Sequence, residues 1–153
     1  MTKRLAQAGI LVIVLFAAAQ LVQPDRTNPP TVASRTIQAH GPRELAAVLE
    51  RSCRDCHSNA TVWPRYTRVA PVSWLMARAV SEGRTAVNFS EWATYSPAEQ
   101  QTLLAASCDD ATAGRMPGFY ARVRPETRLS AQDITTICTA ARQAESRPAD
   151  VPH

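Results

Sequence analysis

A chain of 153 residues with 17 Lys and Arg against 13 Asp and Glu carries a formal charge of +4, and its length suits one domain with appendages. Two of the positive charges, Lys3 and Arg4, stand at the N-terminus, so the remaining 15 basic residues against 13 acidic ones leave only +2. An excess this mild and scattered argues against nucleic-acid binding, and no nucleic-acid partner is expected.

Behind Lys3 and Arg4, the stretch LAQAGILVIVLFAAAQLV at 5–22 holds no charge. A charged start followed by an apolar body directs a chain into or across a membrane. Its 18 residues lie at the short end for a span, and the small residues at 17–19 also suit a cleavage site. Residues 1–23 are therefore read as a signal anchor, with a cleaved signal peptide as the alternative. In either case the positive-inside rule exports the rest of the chain, so a periplasmic, membrane-anchored protein in an oxidising compartment is expected.

Residues 23–42, QPDRTNPPTVASRTIQAHGP, contain four prolines and neither helical nor alternating periodicity. Residues 24–42 are read as a Pro-rich, extended tether that holds a domain away from the bilayer. The domain itself is expected over 43–147, with 148–153 as a flexible tail.

Within 43–147 four helices are predicted. The first starts at Arg43 and carries Leu45, Val48, Leu49, Ser52, Cys53 and Cys56 along one stripe. The second, APVSWLMARAVSEG, is expected to start at Pro71 and stop at Gly83. Ser96, Pro97 and Glu99 form a capping box opening the third, which carries Cys108 and ends near Gly114. Ser130 and Asp133, with a Leu129 to Ile134 staple, open the last, which carries Ile137 and Cys138. No alternating run suits a strand, so the fold class is all-α, with long loops.

The chemistry concentrates in SCRDCHSNATVWP at 52–64, where Cys53, Cys56 and His57 make a CxxCH. Cysteines three apart on a helix face the same way, so each thiol can meet one of two haem vinyl groups while the adjacent histidine binds iron. Zinc is a weaker reading, because Cys108 and Cys138 form no second close pair. A dithiol redox motif is expected beside a βαβ pattern, which is missing, and a purely structural disulfide leaves His57 unexplained.

The segments CRDCHSNATVWPRYTRVAPVSWL, EGRTAVNFSEW, GRMPGFY and RPETRLS resemble the haem-binding domain family of exported, single-haem relatives of cytochrome c. The resemblance covers roughly residues 40–145. It implies a cytochrome-c-like helical fold and one haem c, covalent through Cys53 and Cys56, with His57 on iron. The chain departs from the family at Arg65, where a tryptophan is common, and at Ala79 and Arg124, where histidines are common; any role those histidines play is lost here.

For the sixth ligand, Met116 is preferred, since GRMPGF lies just past a helix stop and its Met-Pro pair resembles that of similar cytochromes c. Met76 falls in an apolar stripe and reads as core, while His40 in the tether and His153 in the tail read as solvated. The Nδ1 of His57 is expected to meet the carbonyl of Pro64 or Pro71. Trp63, Tyr66, Arg68, Trp74 and Arg84 are candidate donors to the haem propionates, and Asn88, Phe89 and Trp92 are expected to shape the loop and wall. Cys108 and Cys138 are expected to form a stabilising disulfide. The function expected is one-electron transfer to or from a redox partner protein. The alternative is a haem-based module that binds or senses a small ligand, and the chain reads more as a carrier than a catalyst.

Overall fold

In the computed structural model, which describes residues 2–146, the stripe through Leu45, Val48 and Leu49 becomes the buried face of helix α3 (Arg43–Ser52). The described residues are helical without strands, as the periodicity predicts. The other helices are α1 (Thr2–Ala19), α2 (Ile37–His40), α4 (Arg54–His57), α5 (Val72–Ala86), α6 (Pro97–Thr112), α7 (Tyr120–Val123) and α8 (Ala131–Glu145), joined by short 3-10 turns. The predicted second, third and last helices correspond to α5, α6 and α8. The predicted first helix is broken at Cys53 (φ −122°, ψ −24°) into α3 and the single turn α4. The expected flexible tail at 148–153, with His153, lies outside the described residues.

Both capping boxes form. Ser96 Oγ accepts from the Glu99 N–H at 3.3 Å while Glu99 Oε2 accepts from the Ser96 N–H at 2.7 Å, and Ser130 and Asp133 repeat the exchange on α8. Asp133 also receives Arg51 Nη2 at 2.7 Å, which ties α8 to α3. Helices α6 and α8 form the principal helix pair, and Cys108 is joined to Cys138 across it with the Cα atoms 4.8 Å apart. A bridge of this separation contributes roughly 3–4 kcal/mol by restricting the unfolded chain. Leu104, Ile137, Phe89 and Trp92 fill the space between this pair and α3.

Residues 23–42 do not form the free tether expected. Ile37 of α2 is fully buried in the core, a burial that stabilises by about 1.5–3 kcal/mol. Upstream, Arg26 Nη1 donates to the Thr67 carbonyl at 2.8 Å, Asn28 Nδ2 to the Thr61 carbonyl at 2.9 Å, and Asn59 Nδ2 to the Pro30 carbonyl at 3.1 Å. Up to Pro30 the segment has no helix or strand, and only residues 33–40 form short helical turns of their own. Arg26, Asn28 and the Pro30 carbonyl bond to residues far along the chain, which composition does not report.

Candidate functional site

Where α3 stops, the N–H groups of Cys56 and His57 both donate to the Cys53 carbonyl, at 3.2 and 3.0 Å. This single turn gathers two thiols and an imidazole, and both thiols are free of disulfide bonding. Burial pushes the Cys53 thiol up to about 12, and burial with the neighbouring Asp55 carboxylate pushes Cys56 up to about 11. A dithiol that exchanges with disulfides works as a thiolate, so this environment opposes such a role.

His57 Nδ1 lies 3.3 Å from the Val87 carbonyl. The carbonyls of Pro64 and Pro71 do not take this place, because α5 carries the chain back over the cysteine turn and delivers Val87 thirty residues later. A carbonyl only accepts, so Nδ1 bears the proton and Nε2 keeps its lone pair for a ligand. Burial lowers the imidazole pKa and favours this neutral form. Phe89 lies beside the ring, with centroids 6.1 Å apart, and Trp92 continues the aromatic series into the core. Asn88 fixes the same loop by accepting from the Ser90 N–H at 3.0 Å.

His57, Cys53, Phe89, Leu103, Leu129 and Met116 line one cavity of about 120 Å³, with Asp110 and Ser107 as its polar members. Met116 stands half exposed in the loop between α6 and α7. The N–H groups of Arg115 and Met116 donate to the Asp110 carbonyl, at 2.9 and 3.3 Å, and Arg115 Nε meets Asp110 Oδ1 at 2.6 Å. Gly114 and Gly118 flank Met116 with φ of 68° and 54°, a left-handed backbone that glycine adopts freely.

Met76 on α5 stands outside this cavity, and His40 pairs through Nε2 with the Ser34 carbonyl at 2.7 Å. Trp63, Tyr66, Arg68, Trp74 and Arg84 also stand outside it. Their donors are committed elsewhere in three cases. Arg84 donates to the Ser58 carbonyl, Thr61 Oγ1 and Asn28 Oδ1 at 2.8–2.9 Å; Trp63 Nε1 donates to Asn28 Oδ1 at 3.3 Å; Trp74 Nε1 donates to the Val22 carbonyl at 2.7 Å. Tyr66 and Arg68 lie exposed on the outer face. The three committed side chains bind the N-terminal segment that composition alone detaches from the domain.

Two further residues shape the site without a local signal. Asp55, between the cysteines, accepts from the Val62 N–H at 3.0 Å and from Tyr120 Oη at 2.6 Å, so the helix after the Met116 loop is bonded to the cysteine turn. Gly83 lies inside α5 rather than ending it, and a Cβ there would stand 2.4 Å from the Cys56 carbonyl oxygen. In an exposed helix Gly→Ala is worth up to about 1 kcal/mol in favour of alanine. Here the clash is with backbone, and overpacking costs of about 1–3 kcal/mol outweigh that gain. Gly83→Ala is therefore expected to lower the melting temperature of the protein; melting at or above the wild-type temperature would refute the close-packing role.

Residues 14–143 match the model of a family described as the haem-binding domain. No curated protein and no solved structure matches the chain.

Proposed function

Because the chain belongs to the haem-binding domain family, and so is a haem-binding protein, we propose that it is an exported c-type cytochrome that passes single electrons to or from a redox partner protein. The observation that carries the reading is the union, on one cavity, of Cys53, an imidazole with Nε2 uncommitted and the thioether of Met116, with Cys56 on the same turn just outside the cavity. The donor set fits a haem c: two neutral thiols, a neutral histidine, a soft sulfur and an apolar wall. The cavity is smaller than the range of about 300–1,000 Å³ usual for larger ligands, so loading would require the Met116 loop to move outward.

In this reading Cys53 and Cys56 would hold the haem through thioether bonds, each S–H adding across one vinyl C=C. Sulfur bonds to one carbon and hydrogen goes to the other, so no oxidant is consumed. His57 Nε2 and the Met116 sulfur would hold the iron, with Val87 keeping the imidazole in register. When bound, haem would supply an iron able to take up and release one electron. Helix α1, apolar and with no buried residue, serves as the membrane anchor, and the Cys108–Cys138 bridge suits an oxidising periplasm.

The half-exposed Met116 favours a second reading, in which the thioether yields to a small ligand and the protein senses or binds it. Acid–acetone extraction of the exported protein tests the covalent attachment common to both. The colour is expected to stay with the polypeptide, and complete extraction would overturn the c-type assignment.

A further inference from the structure

Immediately after α1 the chain is fastened to the domain. Gln20 Oε1 accepts from the Ala70 N–H at 2.9 Å, Gln20 Nε2 donates back to the Ala70 carbonyl at 3.4 Å, and Trp74 Nε1 donates to the Val22 carbonyl at 2.7 Å. Eighteen residues of helix at about 1.5 Å each reach about 27 Å, close to the thickness of a bilayer's hydrocarbon core. With Lys3 and Arg4 at one surface, Ala19 therefore ends at the other, and the residues bonded to Gln20 and Val22 stand at headgroup level.

The face that begins at those bonds is apolar and open. Val62, Tyr66, Val69, Val72, Trp74 and Leu75 are all exposed, Leu75 at 65%, and Leu21 beside the helix end is exposed at 85%. Exposed apolar groups clustered along one short segment, next to the end of an apolar helix, suit a binding surface. Tyrosine and tryptophan with one apolar side and one polar handle are the residues that settle at membrane–water interfaces. Arg65 and Arg68, also exposed, add the positive charge that anionic headgroups attract.

We propose that this face lies on the lipid surface of the membrane that α1 enters, so that the domain is docked against the bilayer instead of being held away from it. The inference rests on the reading of α1 as a retained anchor. Its occupant is lipid because the patch is continuous with the end of the membrane helix, to which it is bonded through Ala70 and Trp74.

The test uses the full-length, haem-loaded protein in vesicles of phosphatidylcholine and phosphatidylglycerol. In the proposed holoprotein two cysteines are thioethers and two are bridged, so a nitroxide on Leu75→Cys is the single labelled site, with Thr102→Cys on α6 as the control. The Leu75 label is expected to collide with a water-soluble nickel chelate several times less often than the control, and more often with oxygen. Equal nickel collision at both sites in carbonate-resistant membranes overturns the docking alone. Shielding that disappears when the protein is diluted to single copies per vesicle also overturns it, in favour of a second copy as occupant. An intact mass of the native protein that lacks residues 1–19 overturns the anchor reading and the docking with it. An unchanged haem spectrum in Leu75→Cys establishes that the labelled protein is folded.

Discussion

Replacing both Cys53 and Cys56 with alanine is expected to leave an exported, folded chain with no covalent haem, and either single change is expected to cut haem content by about tenfold or more. Groups that merely orient a metal's ligands already cost about 10–100-fold when lost, and in the proposed assignment these two hold the cofactor itself. Cys53 packs against the core and Cys56 sits under Gly83, so alanine keeps the Cβ contacts while removing only sulfur. The fold is held independently by α6, α8 and their bridge, which the substitutions do not touch. The measurement is haem per polypeptide after acid–acetone extraction, read alongside helical content and the Cys108–Cys138 linked peptide. A double variant that retains covalent colour defeats the assignment. Loss of both colour and helical content would show instead that attachment and folding are coupled.

Met116→Ala is expected to abolish the thioether-to-iron absorption band of the oxidised protein and to open the iron to carbon monoxide in the reduced protein. Thioether ligation favours reduced iron, so Met116→His, which offers a nitrogen from the same loop, is expected to lower the reduction potential. The loop tolerates these changes because Met116 is half exposed and its hydrogen bonds run from its backbone to Asp110. Met76→Leu is the control: Met76 stands outside the cavity, and a volume-conserving swap on α5 costs under about 1.5 kcal/mol. The electron-transfer reading fails if Met76→Leu removes the band while Met116→Ala leaves it. It yields to the sensing reading if the unaltered protein has no such band and already takes up carbon monoxide rapidly.

Local signals were legible in the sequence by itself. The capping boxes at Ser96 and Ser130 mark helix starts because their donors and acceptors lie within three residues, and both form as read. Cys53, Cys56 and His57 share one turn because helical spacing alone brings them together. The charge-free run from Leu5 yields an apolar helix for the same kind of reason, since composition over one segment decides it. What only the tertiary structure decided are contacts between distant parts of the chain. Val87 rather than a nearby proline holds His57; Gly83 is required by the approach of α5 to Cys56; Trp74 and Arg84 donate to residues about fifty positions upstream. The proline-rich segment shows the difference most clearly. Its composition limits it to short helical turns at 33–40, but whether it hangs free depends on partners for Asn28 and Ile37, and for Gln20 just before it. Those partners are supplied by α5, the loop before it and the core, surfaces that exist only once the rest of the chain has folded.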